Sequence, residues 1–157
     1  MKLKFHRILI MAAVAMVLIV GIVKGLAIPK ISPEEAILRQ AKDVVLALRE
    51  KDLEKVAGFM APKGKLRFSP YGTIQEQNDQ VFFRAQITGL FSDPTFFLWG
   101  YYDGSGEPIK KTFAEYFAEF IYDVDFATAP KISFDERLGQ GNTLNNISDV
   151  YPNSHVV

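Results

Sequence analysis

The run Phe96-Phe97-Leu98-Trp99-Gly100-Tyr101-Tyr102, followed at once by Asp103-Gly104-Ser105-Gly106-Glu107-Pro108, constrains this chain more than any other stretch. It holds the single tryptophan and the sharpest turn signal in the sequence. Aromatic residues favour a pleated, half-buried surface, so residues 95–102 predict a strand whose rings pack on both faces. Gly100 inside it predicts a bulge or a close backbone approach. The glycines that follow accept positive φ, and Pro108 forbids a central strand immediately afterwards. The plain reading is a core strand ending in a loop. A second reading takes Asp103, Ser105 and Glu107, at alternate positions, as oxygen ligands for a cation such as calcium. An EF-hand loop beginning at Asp103 would need Gly at position 108 and Glu at position 114. Pro108 and Ala114 stand there instead, so that motif is absent.

Residue chemistry narrows the function next. There is no cysteine, which excludes disulfides, thiolate zinc sites and a cysteine nucleophile together. The two histidines, His6 and His155, sit near the ends, so a Ser-His-Asp arrangement would rest on His155 alone. The zero net charge hides an asymmetry, since Lys2, Lys4, Arg7 and Lys24 all precede residue 28 and no acid does. The remainder is mildly acidic and carries no basic run, which argues against nucleic acid as a partner.

Taken in order, the chain begins with a basic stretch and an unbroken apolar run over residues 8–23 before Lys24. As a helix the run would span about 24 Å, a little short of a hydrocarbon core of roughly 30 Å. Two readings fit it: a signal peptide cut after Ala27, behind small residues at Gly25 and Ala27, or an uncut membrane anchor with Lys24 at the interface. Either one places residues 28–157, a single α+β domain, outside the cytoplasm, secreted or membrane-anchored. Ser32-Pro33-Glu34-Glu35 then predicts a helix start, with Ile37, Ala41, Val44, Val45 and Leu48 as its buried stripe. Asp52 is placed to cap a second helix carrying Leu53, Val56, Ala57 and Met60, completing a helical hairpin.

Beyond it, residues 65–68 predict a strand, Ser69-Pro70-Tyr71-Gly72 a turn, Val81-Phe82-Phe83 an extended piece, and residues 84–91 a short helix. Thr112-Phe113-Ala114-Glu115 is a second capping box, heading an aromatic stripe of Phe113, Tyr116, Phe117, Phe120 and Ile121 that reads as core. Tyr122-Asp123-Val124-Asp125-Phe126, if extended, sends both carboxylates to one face, as a solvated edge or an acid/base pair. Residues 131–138 suggest another strand and Gly139-Gln140-Gly141-Asn142 a loop. Asn146-Ile147-Ser148 matches a glycosylation sequon.

Several of these stretches together resemble a family of uncharacterised exported bacterial proteins, many of them predicted lipoproteins. The resemblance is carried by Lys51-Asp52-Leu53-Glu54-Lys55, Arg67-Phe68-Ser69-Pro70-Tyr71-Gly72, the block from Trp99 through Pro108 to Ile109, Tyr122-Asp123 with Asp125-Phe126, and Gly139-Gln140-Gly141-Asn142 with Asn145-Asn146. It implies further C-terminal strands beyond Tyr151-Pro152-Asn153 and a lipoprotein cysteine, both lacking here, and brings no catalytic residues. The helices-then-strands order also looks like the nuclear transport factor two-like (cystatin-like) cone, in which a helical hairpin packs on a curved antiparallel sheet. With the C-terminal strands lacking, that sheet would be incomplete.

The sequence therefore predicts a non-enzymatic extracytoplasmic module whose aromatic-lined concavity binds a small molecule, a peptide or a partner protein. Trp99, Tyr101, Tyr102, Asp103 and Glu107 are its expected ligand-binding residues, with Asp103, Ser105 and Glu107 as the calcium candidates and no other cofactor. The alternatives are an envelope hydrolase using carboxylates among Asp103, Glu107, Asp123 and Asp125, and a truncated family member with little function of its own.

Overall fold

A computed structural model describes residues 30–136, 138 and 145–157. The basic N-terminus, the apolar run, the junction after Ala27 and the Gly139-Gln140-Gly141-Asn142 stretch lie outside the described residues. Among the described residues no helix is long and apolar enough to cross a membrane. The compact unit Pro33–Val157 combines helices with small antiparallel sheets, an α+β arrangement.

The first helix, α1, spans Pro33–Arg49 and begins on the proline, whose fixed φ suits a first helical turn. Its acids Glu34 and Glu35 lie in the first turn and Arg49 in the last, as the helix dipole favours. Asp52 caps α2, Leu53–Phe59, by accepting from the Lys55 amide at 2.9 Å. Leu53, Val56 and Ala57 are buried as their spacing requires. The expected stripe of α1 is only half-buried, and Ala47 alone is fully enclosed. That difference leaves part of one helix face available to other segments.

Strand β1, Lys65–Phe68, pairs antiparallel with β2, Gln80–Phe83, and Leu66 lies opposite Phe82. Alternation puts Leu66, Phe68 and Phe82 toward the core and leaves Lys65 over the ring of exposed Phe83. The loop between them is pinned rather than free. Asp79, with only 2% of its side chain exposed, accepts from Ser69 Oγ at 2.6 Å and the Gln75 amide at 3.0 Å, beside the Arg67 guanidinium at 3.5 Å. A short helix α3, Arg84–Ile87, and a 3₁₀ turn, Leu90–Ser92, then fill residues 84–92 up to Asp93-Pro94.

Strand β3, Phe97–Tyr101, pairs antiparallel with β4, Pro108–Lys111. The register shifts between Leu98 and Tyr101, and Gly100 takes φ +146° at this bulge. A Cβ there would meet Pro70 Cγ at 3.0 Å, so both the backbone and the neighbour require glycine. The rings do not pack on both faces, because Trp99 is fully buried whereas Leu98 and Tyr101 face outward and Phe96 is 66% exposed. One face has a core to cover and the other has none. The two ladders are separate two-stranded sheets among the described residues.

Thr112 caps α4, Phe113–Tyr116, and Glu115 returns the bond to the Thr112 amide, the predicted capping box. The helix then widens into a π turn over Phe117–Ile121, closed by the Tyr122 amide on the Phe117 carbonyl at 2.9 Å. The core gathers on Trp99. Tyr116 stacks on its indole at 3.9 Å between ring centres, while Phe68, Phe82, Phe97 and Phe113 surround it at 5.5–6.1 Å. Each such pair contributes about 0.5–1.5 kcal/mol beyond the area it buries. Trp99 also donates its Nε1–H to the Lys111 carbonyl at 2.9 Å, joining strand to strand through a side chain.

Two other expectations fail. Residues 122–126 are not extended: Asp125 caps a 3₁₀ turn, Phe126–Thr128, by accepting from the Ala127 amide and the Tyr122 hydroxyl. A local side-chain bond thus competes successfully with a strand. Among the described residues of 131–138 there is no strand either. A short helix α5, Ile147–Val150, follows Asn146, whose amide group bonds both the N–H and the carbonyl of Ile74 at 2.8 and 3.0 Å. That Asn146 nitrogen is already committed, so the sequon is a structural clasp in this fold.

Candidate functional site

The hairpin loop after β3 is built by its glycines. Gly104 and Gly106 take φ +89° and +70°, and the Gly106 amide donates to the Tyr102 carbonyl at 2.9 Å. Tyr102 in turn donates its amide to the Glu107 carbonyl at 2.8 Å. Ser105 Oγ accepts from the Glu107 amide, so its oxygen is engaged within the loop. The Asp103 amide donates to the Tyr71 hydroxyl, and the Asp103 and Glu107 carboxylates stand in solvent. Among the described residues no group of three or more acidic or imidazole side chains is gathered as a cation would need.

The expected ligand residues are thus divided. Trp99 has no exposed surface, and its ring is a core element. Tyr102 donates its hydroxyl to Glu119 Oε1 at 2.8 Å, and Lys111 Nζ meets Glu119 Oε2 at 2.8 Å. The Lys111 ammonium, with the Tyr102 hydroxyl, holds the Glu119 carboxyl below its ordinary value. In return, Glu119 raises Lys111 and the Tyr102 phenol. Of the five, Tyr101, Asp103 and Glu107 are exposed at the surface, and none of them lines the cleft beside α1. Asp123 is exposed and Asp125 is a turn cap, so those two carboxylates do not share a site.

A different region forms a concavity. Along one side of α1, Ala41, Lys42, Val45 and Leu46 face Phe126, Ala127 and Ala129, followed by Lys131, Ile132 and Ser133, with Leu138 and Val157 completing the wall. The volume is about 620 Å³, within the range of small-molecule sites, and the lining is mostly apolar. Sequence spacing explains the helical wall, since positions 41, 42, 45 and 46 fall on one face of a helix. The opposite wall is fixed by the Asp125 cap and by Thr128 Oγ1 donating to the Asp125 carbonyl at 2.9 Å.

The segment carrying Ile132 and Ser133 is tied to the last residues. Asp135 donates its amide to the Val156 carbonyl at 2.8 Å, and its carboxylate accepts from the Val156 amide at 2.9 Å and faces His155 Nδ1 at 2.8 Å. His155 stacks on Phe134, and Ser133 donates its hydroxyl to the Glu136 carbonyl. The His155 contact holds the Asp135 carboxyl below its ordinary value. A shallower depression of about 440 Å³ lies by Glu54, Pro62 and Arg84, where Arg84 is bonded to the Met60 carbonyl.

The cleft was not legible in advance. Among the described residues that line it, Phe126 alone is aromatic, whereas the aromatic-rich strand β3 supplies the core. The available signal was the breadth of the apolar face of α1, where Ala41, Val45 and Leu46 exceed what the core covers. No protein-family model, curated protein or solved structure matches this chain.

Proposed function

We propose that this protein is a non-enzymatic binding module that takes a small, largely apolar molecule into the cleft between α1 and residues 126–133. The observation carrying the reading is the cleft itself: about 620 Å³, mostly apolar, and walled on one side by a helix face that the core leaves half-covered. Burying apolar ligand surface there is favourable by about 25 cal/mol per Å². The reading includes export, on the basic residues Lys2, Lys4 and Arg7 before the apolar run, with membrane attachment or cleavage after Ala27. It also keeps the resemblance to uncharacterised exported bacterial proteins and to the nuclear transport factor two-like cone. In support of the cone, β2 and β3 lie close enough for Gln80 Nε2 to donate to the Leu98 carbonyl at 2.8 Å.

Titration of the full chain with a neutral dye, N-phenyl-1-naphthylamine, tests the reading. Saturable binding at one site, abolished by Ala129→Trp, which fills the cleft from an exposed position, is the expected result. Absence of saturable binding, or binding indifferent to that substitution, contradicts it.

A further inference from the structure

Resting on that reading, we infer that residues 155–157 are a strap gating the cleft, which unclasps from Asp135 to admit and release the ligand. Two observations carry this. Val157 lines the cleft from the strap, and Ile132 and Ser133 line it from the segment to which the strap is clasped. Among the described residues, the hydrogen bonds that hold 155–157 in place all run to one residue, Asp135.

The clasp is held less firmly than the other walls. One wall is a helix of 17 residues, α1, and the wall at Phe126–Thr128 is fixed by the Asp125 cap. The clasp consists of the Asp135 amide donating to the Val156 carbonyl, the Val156 amide donating to the Asp135 carboxylate, and the contact of that carboxylate with His155 Nδ1. The side chains of His155 and Asp135 are 50% and 43% exposed, so water competes for these bonds. Asp135 also holds φ +53°, a left-handed conformation that aspartate tolerates without preferring it. Segments with few buried contacts and solvated hydrogen bonds open locally, ahead of the global fold.

The pivot, by contrast, is fixed. Ser154 donates its amide and its hydroxyl to the Tyr151 carbonyl at 3.1 and 2.8 Å, and the Tyr151 hydroxyl accepts from Arg67 Nε at 3.0 Å. Unclasping therefore swings 155–157 about a turn moored to β1 and takes Val157 out of the cleft lining. The stack of His155 on Phe134, at 4.9 Å between ring centres, returns the strap to one place when it closes.

The test is stopped-flow binding of N-phenyl-1-naphthylamine to the full chain and to its Asp135→Ala variant, which lacks both side-chain contacts. A gate that must open predicts that Asp135→Ala raises the association and the dissociation rate constants together, each about ten-fold, as suits the loss of two solvent-exposed contacts. Asp135→Asn keeps an oxygen for the Val156 amide and tolerates φ +53°, and should fall between the two. In the native chain, the Asp135 and Val156 amides should exchange hydrogen together, at least about ten-fold faster than the paired amides of β3 and β4. Faster dissociation with unchanged association would make 155–157 a fixed wall and overturn the gate, as would rates that do not change at all. Exchange no faster than in those strands would tie the clasp to global unfolding and overturn the gate whether or not the variant folds. All three results leave the cleft reading standing, whereas a native chain that binds no dye overturns both.

Discussion

Replacing Gly100 by alanine probes the point where strand, bulge and core meet. Two costs add at this position. The backbone holds φ +146°, and residues with side chains kept in such regions cost about 1–3 kcal/mol. The new Cβ would also sit 3.0 Å from Pro70 Cγ, well inside a comfortable carbon–carbon separation of roughly 3.5–4.0 Å. Overpacking of this kind costs about 1–3 kcal/mol, and the loss of glycine freedom in the unfolded chain returns about 0.4–1 kcal/mol. The net expectation is a loss of about 2–4 kcal/mol.

Gly104→Ala separates the two terms, because Gly104 has φ +89° but nothing within 4 Å of its added Cβ. It should lose only about 1 kcal/mol. Urea unfolding of the full chain, followed by Trp99 emission next to the altered residue, measures both. At typical urea slopes the Gly100 variant should unfold about 1–2 M earlier. Equal losses for the two variants, or a Gly100→Ala loss below about 0.5 kcal/mol, would refute the close-approach argument.

Two further substitutions test the polar contacts that position the loops. Asp79→Asn leaves the size of a buried group but removes the charge facing Arg67 and weakens its bonds to Ser69 and Gln75; a loss of about 2–3 kcal/mol is expected in urea unfolding. The Glu119 carboxyl is depressed by Lys111 and Tyr102, so its contribution is fully present above the unfolded value of about 4.3 and disappears as pH falls through the lower folded value. Glu119→Gln should therefore flatten the acid side of the stability–pH profile below about pH 5, read from urea midpoints.

Local chemistry made much of the fold legible before any coordinates. Asp52 and Thr112 each cap a helix by a bond that needs only neighbours within three residues, and both formed as expected. Gly100 was legible as a bulge for the same reason, since a lone glycine in an aromatic strand has few other uses. What failed depended on partners far away in sequence. Whether the aromatic strand would bury one face or two rests on what the rest of the chain supplies, and only enough was supplied for the Trp99 face. Asp123 and Asp125 share one face only if residues 122–126 are extended, and the Tyr122 hydroxyl and the Ala127 amide draw Asp125 into a turn instead.

The site shows the same division. Trp99, the most conspicuous side chain, is where the core needs its largest surface, so it has none left for a ligand. The cleft instead joins α1 to Ile132, Ser133 and Val157, residues up to more than a hundred positions apart, none of which carries a motif. Their approach depends on Asp135 binding the Val156 backbone and His155, contacts that no periodicity announces. His155, which the sequence offered only as a weak catalytic candidate, takes a part in holding that wall.

Mapping the dye site on the full chain by nuclear magnetic resonance is the most direct test of the central claim, that the cleft beside α1 and not the hairpin after β3 is the binding surface. Methyl and amide shifts recorded during titration with the neutral naphthylamine should move at Val45, Leu46, Ala127 and Ile132, which line the cleft. Shifts confined to Tyr101, Asp103 and Glu107, with those four residues still, would contradict it.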